Sequence, residues 1–512
     1  MIHHSVTAGE QPDKPAIIMG RGETVSYGAF TRRVNQYRRH LEASGLQPGD
    51  HVAILMENAP DFLIFTMAAM DSGLLLTPIS VFLQSDEIEY IVNNCEAKFL
   101  LASAKYAGIA EAVRPKTPNV AHYRSIGGDI PGYDRIEPAL DALSDAPMPY
   151  GVAGNFMFYS SGTTGRPKGI GYHGAERNVL ESDPQLAAIA MALQLNPKAR
   201  YLSPAPLYHS APGAGCITAL VEGATVIIME QFDPETALQL IQEHKATTSQ
   251  WVPTMFVRLL KLPEAVRKSY DVSSLKWAVH AAAPCSPDTK EAMIKWWGDA
   301  IVEYWGASET GVITFITAPE SLAQRGSVGR AVRGNVYILD DDDNPLPPNE
   351  IGTIHVKTDV SFEYHGEPEK TAESTSKQGY QAVGDTGYLN EEGYLFLTGR
   401  KSHMIISGGV NIYPEETENR LVAHPDVLDV AVIGVPHEEF GEEVKAIVQL
   451  VDPSKASPDL EAALIGYCRE AISTVKCPRS IDFVTDLPRT PTGKLRKHEI
   501  RAPYWADADR TI

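Results

Sequence analysis

Short apolar runs alternate with helical segments along most of the chain. Residues 52–56 form an apolar run after a Pro-Gly-Asp turn, and residues 224–229 form another before the helical segment 234–244. A third run, 277–280, ends shortly before the turn-forming Pro284. Alternating strands and helices build parallel sheets, because each helix returns the chain to the same end of the sheet. The pattern therefore predicts an α/β fold with largely parallel sheets.

A second set of predicted strands and helices begins after Gly399. Beyond this glycine lie the apolar pair Ile405-Ile406, a helix that begins at Pro414 and a strand over 430–435. A segment of about a hundred residues is an ordinary size for an independent core. We therefore predict a large domain over residues 1–400 and a small α+β domain over residues 401–512.

The charge balance narrows the classes of partner. The chain has 512 residues with 45 Lys or Arg and 65 Asp or Glu, so its net charge is −20. This charge repels nucleic acid and anionic membrane surfaces, and neither is expected as a general partner. ATP stays compatible, because phosphate binding depends on local backbone donors, a divalent ion and a few cationic side chains.

Cysteine usage and hydropathy indicate the compartment. The five cysteines are odd in number and form no CxxC pair, which favours reduced thiols. No secretion or peroxisomal signal is visible at either end of the sequence. The most apolar stretch, 62–70, is much shorter than the roughly 20 residues that a membrane span requires. We predict a cytoplasmic protein without an integral membrane segment, and leave a peripheral membrane contact and a homo-oligomer open.

A run rich in hydroxyl side chains and glycines, YSSGTTGRPKG at 159–169, follows the apolar strand 156–158. Glycines let backbone N–H groups approach a phosphate, hydroxyls add donors and the lysine adds charge. The run is not a Walker loop, because the order Gly, four residues, Gly-Lys-Ser/Thr is absent. A flexible surface loop is the alternative. The candidate phosphate contacts are Ser160, Ser161, Gly162, Thr163, Thr164, Gly165 and Lys168.

Six sequence blocks follow this loop: PLYHS at 206–210, YWGASE at 304–309, GDTG at 384–387, GR at 399–400, SGGVNIYP at 407–414 and PTGK at 491–494. With the loop, they resemble the adenylate-forming superfamily of acyl-CoA synthetases, nonribosomal peptide adenylation domains and firefly luciferase. The resemblance covers nearly the whole chain and is closest to bacterial synthetases of fatty or bulky acids. It implies a β-rich subdomain in the large domain and a mobile small domain that carries the adenylation lysine.

The resemblance implies a nucleotide site built from several blocks. Glu309 would hold Mg²⁺ and act in catalysis, Ser308 would donate to a phosphate, and Trp305 would offer a flat face to adenine. Asp385 would accept from the ribose hydroxyls, with Arg400 as the second ribose contact. Taken singly, a surface carboxylate, a core tryptophan and a turn aspartate are the alternatives. Ala282, Ala283 and Gly306 complete the implied nucleotide-binding set.

Lys494 would enter the cleft and stabilise the charge that develops during adenylation. The small domain would then rotate about Ser402, where the family often has Asp or Lys. Rotation would replace Lys494 by the Gly408-Gly409 turn and open a channel for the pantetheine arm of CoA. Phe440 lies in a segment that is similar to acyl-CoA synthetases and is the remaining candidate for this channel.

The acid is expected to be hydrophobic. Small residues at 281–283 and near His209, namely Ala211, Gly213, Ala214 and Gly215, would leave a deep and mostly apolar pocket. No basic residue among them pairs with a second carboxylate, so fatty, aryl and alicyclic monocarboxylic acids remain open. The candidate acyl pocket comprises His209, Ala281, Gly306 and Trp251, and His209 also borders the thiol entry and is a candidate catalytic residue.

The implied reaction uses ATP, Mg²⁺ and CoA. The carboxylate attacks the α-phosphate and releases pyrophosphate, and the thiol of CoA then attacks the acyl-adenylate and releases AMP. The segments 434–442 and 476–479 favour CoA as the acceptor. A carrier protein, an amine or oxygen is the alternative acceptor. A nucleotide sensor without catalysis is the alternative from another class, and the presence of Lys494 and Glu309 argues against it.

Overall fold

The computed structural model describes residues 2–160, 167–172, 177–358, 361–408, 410–489 and 495–506. Its α-helices are α1 (His4–Glu10), α2 (Tyr27–Ala43), α3 (Pro60–Asp71), α4 (Ser85–Asn94), α5 (Ala107–Val113), α6 (Glu137–Asp141), α7 (Pro184–Ala192), α8 (Ser210–Val221), α9 (Pro234–His244), α10 (Pro253–Leu260), α11 (Glu264–Ser269), α12 (Pro287–Trp297), α13 (Ala318–Ala323), α14 (Pro368–Glu373), α15 (Glu415–Val422), α16 (Pro458–Arg469) and α17 (Lys497–Trp505).

Its strands are β1 (Pro15–Met19), β2 (Thr24–Ser26), β3 (His51–Leu55), β4 (Leu75–Ile79), β5 (Phe99–Ser103), β6 (His122–Ile126), β7 (Asp134–Arg135), β8 (Asn155–Phe156), β9 (Phe158–Ser160), β10 (Lys168–Tyr172), β11 (Arg200–Ser203), β12 (Thr225–Ile228), β13 (Thr248–Trp251), β14 (Trp277–His280), β15 (Ile301–Ala307), β16 (Gly311–Thr317), β17 (Ser327–Ala331), β18 (Asn335–Leu339), β19 (Gly352–Lys357), β20 (Phe362–Tyr364), β21 (Gln381–Leu389), β22 (Leu395–Arg400), β23 (Ile405–Ser407), β24 (Val410–Ile412), β25 (Val427–His437), β26 (Gly441–Leu450) and β27 (Ser480–Val484).

The first large sheet is parallel throughout, with strand order β7-β6-β5-β3-β4-β8. Its central strand β3 coincides with the apolar run predicted at 52–56, and β3 is almost entirely buried. A parallel sheet is covered by helices on both faces, so its strands are apolar in succession instead of alternating. The short apolar runs of the sequence are therefore explained by their burial.

The second large sheet changes character along its width. Strands β1, β12, β11, β13, β14 and β15 are parallel neighbours, and β16, β17, β22, β21, β19 and β18 continue the sheet with antiparallel pairs. The first half matches the predicted strands 224–229 and 277–280 and the helix 234–244. The second half is the expected β-rich part. The predicted α/β fold with largely parallel sheets is confirmed.

A separate sheet forms the C-terminal part of the chain. It runs β24-β23-β26-β25, and β27 adds to β26 as a parallel neighbour. Its interior contains Ile405, Leu421, Val432 and Leu464, which belong to a hydrophobic cluster of residues 405–481 alone. A 3₁₀ turn, Lys401–His403, joins this part to β22. The division into domains at residue 400 stays a prediction, although the separate core agrees with it.

Two further features of the described chain bear on the predictions. None of its helices is long and apolar enough to cross a bilayer. The acidic run 340–343 forms the expected turn after β18, in which the Asp340 carboxylate accepts from the backbone N–H groups of Asp342 and Asn344. Asp341 also pairs with Lys401 at 2.7 Å, so this turn contacts the 3₁₀ turn that leads to the C-terminal sheet.

Candidate functional site

The carboxylate of Asp385 is held by two of the other predicted nucleotide contacts. Asp385 on β21 faces Arg400 on β22 as its strand partner. Arg400 Nε lies 3.0 Å from Asp385 Oδ1, and the Trp305 indole N–H donates to Oδ2 at 2.9 Å. Three residues separated by up to 95 positions in the sequence thus share one carboxylate. Their partners fix the orientation of the carboxylate, as a group that accepts from ribose hydroxyls requires.

The Trp305 ring itself is nearly covered. Only 6% of the residue is exposed, and it packs with Ile313, Val328 and Leu395 in the interior of the antiparallel half-sheet. In this structure the indole therefore acts through its N–H on Asp385 and through packing, which was the alternative interpretation of the sequence. Stacking on adenine stays a prediction and receives no support from the exposure of the ring.

Position 306, near the end of β15 and next to the loop to β16, requires a glycine. The register of the two strands shifts after Trp305, and a Cβ atom at position 306 would lie 1.9 Å from the Gly311 carbonyl oxygen. The same loop carries Ser308, whose hydroxyl is 2.8 Å from that of Ser210. Ser210 begins α8 and His209 is the N-cap residue of this helix. The PLYHS and YWGASE blocks therefore meet in the structure.

Glu309 is positioned by a residue that the sequence interpretation missed. The Tyr364 hydroxyl on β20 donates to Glu309 Oε1 at 3.3 Å. The Lys168 ammonium lies over the Tyr364 ring, 4.6 Å from its centre. Burial, together with the charge of Glu309, raises the pKa of Tyr364, which keeps the phenol protonated as a donor. Glu309, Tyr364 and Lys168 thus form a connected group at the end of the phosphate loop.

The phosphate loop is described only at its two ends. Ser160 on β9 and Lys168 on β10 are strand partners, so the loop is closed at its base by an antiparallel hairpin. The predicted contacts Ser161, Gly162, Thr163, Thr164 and Gly165 lie outside the described residues.

The strip of alanines after β14 contains backbone strain. Ala282 has a φ of 75°, which is rare for a residue with a Cβ atom, and it is exposed, whereas Ala281 is buried and Ala283 is partly buried. Strained backbone of this kind is concentrated at ligand sites. Next to the strip, the buried Lys290 ammonium pairs with Glu303, and burial lowers the pKa of His280 to about 4. Lys290 therefore already has a carboxylate partner and is not a free cation for the acid.

Two parts of the predicted acyl pocket have other roles in the structure. Trp251 is 1% exposed and packs against Phe256 and Trp297, because its strand is covered by α10 and α12. In this structure Trp251 therefore contributes to packing, and its place in the acyl pocket stays a prediction. A Cβ atom at Gly213 would lie 2.5 Å from the Leu207 carbonyl, and one at Gly215 would lie 2.8 Å from the Tyr201 hydroxyl. These glycines serve close packing of α8 and leave no empty space.

The residues predicted for the CoA channel meet in the small domain. Gly408 has a φ of 57°, and its N–H donates to the Phe440 carbonyl at 2.8 Å. The Phe440 ring is stacked on His437, and the guanidinium of Arg479 lies 5.0 Å from its centre. Ser402 lies in the 3₁₀ turn between β22 and β23, and its role as a hinge stays a prediction. Gly409 and Lys494 lie outside the described residues.

Glu415 is a second residue that the sequence interpretation missed. It begins α15, directly after the SGGVNIYP block, and its carboxylate lies against Gly399 of β22. Burial raises the pKa of Glu415 to about 7, with Lys497 acting in the opposite direction and Glu418 and Asp385 adding to the rise. No sequence signal indicates that Glu415, and not its neighbour Glu416, has a functional role. The same is true of Tyr364, which lies in a strand of alternating residue types.

Comparisons with known proteins give the family. The AMP-binding enzyme family matches residues 5–363, and its C-terminal domain matches residues 416–494. The chain is 30% identical over 494 residues to the long-chain-fatty-acid–CoA ligase FadD13 of Mycobacterium tuberculosis, which covers 94% of this chain and 93% of that protein. It is 32% identical over 492 residues to a feruloyl-CoA synthase of an Amycolatopsis species, with 94% of each chain covered.

The fold has a counterpart among solved structures. The amide bond synthetase McbA from Marinactinospora thermotolerans superposes with a TM-score of 0.82 and 26% identity, over 98% of this chain and 99% of that one. The resemblance inferred from the sequence blocks is thereby confirmed, and with it the class of AMP-forming ligase. The chain belongs to the AMP-binding enzyme family, and so to the adenylate-forming superfamily.

Proposed function

We propose that the protein is an ATP-dependent acyl-CoA synthetase. It converts a hydrophobic monocarboxylic acid and ATP into acyl-AMP and pyrophosphate, and then transfers the acyl group to CoA with release of AMP. The observation that carries this proposal is the Asp385 carboxylate fixed between Trp305 and Arg400. The Tyr364 hydroxyl contacts Glu309, and the charge of Arg400 opposes the rise in the pKa of Tyr364, which supports a common site for the ribose-type and phosphate-type groups.

The described residues fit the needs of the first step. Glu309 is partly exposed, and the Tyr364 hydroxyl contacts only one of its oxygens. A hard carboxylate oxygen that stays accessible suits Mg²⁺, which would neutralise phosphate charge when bound. Ser308 and Lys168 would donate to phosphate oxygens, and Lys494 would stabilise the charge on the α-phosphate. A pre-oriented carboxylate at Asp385 would hold the ribose.

CoA as the acceptor is supported by two arguments. FadD13 and the feruloyl-CoA synthase are named for CoA thioester formation. Gly408 and Phe440, which the sequence assigned to the channel, are in contact on the small domain. An amine acceptor is the second candidate, because the chain has the fold of the amide bond synthetase McbA over nearly its whole length. A carrier protein is the third.

The acid is proposed to be hydrophobic with a single carboxylate. The buried Lys290 is already neutralised by Glu303, so the alanine strip offers no free cation for a second carboxylate. Long-chain fatty acid and ferulate are the acids in the names of the two relatives, and both acids have one carboxylate and an apolar or aromatic body. We also propose a cytoplasmic location and a small domain that begins at residue 401 and turns about Ser402.

The proposal is tested with a panel of fatty, aryl and alicyclic acids, scored for pyrophosphate release with and without CoA. We expect ATP-dependent pyrophosphate release with a hydrophobic acid, and consumption of one CoA for each AMP formed. Amines and a purified acyl carrier protein serve as rival acceptors in parallel reactions. If the adenylate forms but CoA is neither consumed nor accelerates turnover, the CoA proposal is wrong. If no acid of the panel supports pyrophosphate release, the proposed substrate class is wrong.

A further inference from the structure

A buried group of metal-ligating side chains lies at the start of the chain, away from the residues assigned to the reaction. His3 is the N-cap residue of α1, His4 is the first residue of this helix, and Asp71 is the last residue of α3. All three side chains are buried. Their ligand atoms, one from each residue, lie within 4.8 Å of one another, and no other such group occurs in the described part of the chain. Neither the reaction nor the nucleotide site uses these residues.

The backbone brings both imidazoles to the same carboxylate. His3 Nε2 lies 3.3 Å from Asp71 Oδ1, and His4 Nε2 lies 2.9 Å from Oδ2. Adjacent side chains in a regular helix or strand point in different directions. His3 has a φ of 63°, and this left-handed conformation accompanies the convergence of the two rings, whose centres are 4.2 Å apart. Strain of this kind persists where the surroundings hold it, and it is frequent at ligand sites.

The second ring nitrogen of each histidine lies within hydrogen-bond distance of a hydroxyl group. His3 Nδ1 is 2.8 Å from the Ser5 hydroxyl, and His4 Nδ1 is 2.9 Å from the Thr31 hydroxyl. A histidine that binds a metal through Nε2 donates its Nδ1–H to an oxygen, which fixes the tautomer and the ring orientation. The Thr31 hydroxyl can accept this proton from His4. The backbone N–H of Ser5 donates to His3 Nδ1 at 3.4 Å, so metal binding requires His3 to take the Nδ1–H tautomer and donate to the Ser5 hydroxyl instead.

We propose that His3, His4 and Asp71 bind a divalent transition metal of the zinc type. Two imidazoles and one carboxylate are a common ligand set for Zn²⁺, with bonds of about 2.0–2.2 Å and a fourth position for water. Such bonds place ligand atoms about 3–4 Å apart, so only a small rotation of the rings closes the site. His3 and Asp71 line a cavity of about 30 Å³ together with Met67, Met70 and Arg177, which offers room for the fourth ligand.

The neighbouring charges define the competing explanation. The Arg38 guanidinium lies over the Tyr150 ring, which contacts His3, and its charge acts on Asp71 and His4. A cation at this distance weakens the binding of a metal, and Arg177 is already paired with Asp183. Without a metal, both Nε2–H groups donate to Asp71 and the cluster is a hydrogen-bonded latch between α1 and α3. Metal binding and the latch make opposite predictions for the isolated protein.

The first test uses the wild-type chain without an affinity tag. The protein is treated with a chelator, desalted and titrated with Zn²⁺, and bound metal is counted by mass spectrometry. We expect about one tightly bound Zn²⁺ per chain and a rise in Tm of several degrees, whereas Mg²⁺ gives neither effect. Co²⁺ in place of Zn²⁺ should give the visible bands of a nitrogen–oxygen site without a thiolate band. If the wild-type chain binds no zinc at equimolar concentration, the proposal is overturned and the latch is correct.

The second test locates the site. Asp71→Asn keeps the size of the side chain and removes the anionic ligand, so it should weaken Zn²⁺ binding at least tenfold. Thr31→Val removes the partner of His4 Nδ1 and should weaken it less. The matched control His498→Gln removes an exposed histidine and should bind zinc like the wild type. Equal zinc binding in the wild type, Asp71→Asn and Thr31→Val would place the metal elsewhere. Thr31→Val retains this test if Asp71→Asn does not fold.

Discussion

The two sides of the proposed active site differ in how their residues are held. On the large-domain side, Asp385, Glu309 and Ser308 each have a side-chain partner within 3.3 Å, supplied by a different strand or helix. On the small-domain side, Gly408 contacts Phe440 through the backbone, and the hairpin around it exposes 49% of Ile406 and 46% of Val410. Exposed apolar residues of this kind are typical of a surface that meets another surface.

The difference indicates that the two sides act in different steps of the reaction. The groups that would bind ATP are pre-oriented by rigid strands, which lowers the cost of reaching the adenylation geometry. The small-domain groups are organised among themselves, and they would act on the substrate only after the domain has turned. Each of the following predictions changes one side of this comparison, and they are ordered from the largest expected effect to the smallest.

Replacing Lys494 by Ala should break the first step. The charge that stabilises the α-phosphate would be lost, and the removal of one such electrostatic donor costs on the order of 10²–10³ in rate. The measurement is pyrophosphate release with acid and ATP, compared with thioester formation from CoA and preformed acyl-adenylate. Lys455→Ala, an exposed lysine of the same domain, is the matched control and should behave like the wild type. An equal loss in both assays for Lys494→Ala would contradict the proposed rotation.

Replacing Tyr364 by Phe should leave the Glu309 carboxylate less firmly positioned and so weaken adenylation. The variant removes the hydroxyl that contacts Glu309 Oε1 and keeps the ring beneath Lys168. We expect a loss of about tenfold in adenylation and a higher Mg²⁺ requirement, because a hydrogen bond to a charged group contributes about 1.5–3 kcal/mol. Tyr394→Phe is the matched control, since Tyr394 also contacts a glutamate and an arginine away from the site. An unchanged Mg²⁺ dependence would remove Tyr364 from the positioning of Glu309.

Replacing Gly408 by Ala should affect the second step. The residue has a φ of 57°, and a Cβ atom would lie 3.2 Å from the Phe440 ring. Left-handed backbone costs a non-glycine residue at least about 1 kcal/mol, so we expect acyl transfer to CoA to slow by about fivefold or more. Gly379→Ala has similar strain without a nearby atom and is the matched control. Slower adenylation with normal transfer would reverse the assignment of the two sides.

Replacing Glu415 by Gln should change how stability depends on pH. Burial raises the pKa of Glu415 from 4.5 to about 7, so its contribution is fully present below pH 4.5 and is lost as the pH rises through 7. At pH 8 the buried charge is a cost, and Glu415→Gln should raise the Tm by about 2 °C, with no gain near pH 4.5. The measurement is thermal unfolding at several pH values. Glu416→Gln, an exposed neighbour, should show no such gain.

Much of the fold could be predicted because the relevant signals are local. The helix 234–244 and the strand 277–280 were predicted with the bounds that α9 and β14 have, since turn residues and apolar runs mark them. The loop at 159–169 and the six blocks carry the family in their residue types and order. The small-residue pattern near His209 was less informative. Small residues suit a pocket and a close helix contact equally well, and Gly213 and Gly215 turned out to be close contacts.

The sequence alone therefore determined the family, the alternation of strands and helices and the set of candidate nucleotide contacts. Only the tertiary structure decided which of these residues meet. It joined Asp385 to Trp305, brought Tyr364 to Glu309, covered Trp251 and directed His3 and His4 to Asp71. The physical reason is that the contacts of Asp385, Tyr364 and Asp71 join residues more than 50 positions apart, and that Trp251 is covered by helices that follow its strand. The distances between such residues depend on strand register and helix packing. A local pattern contains neither of these quantities.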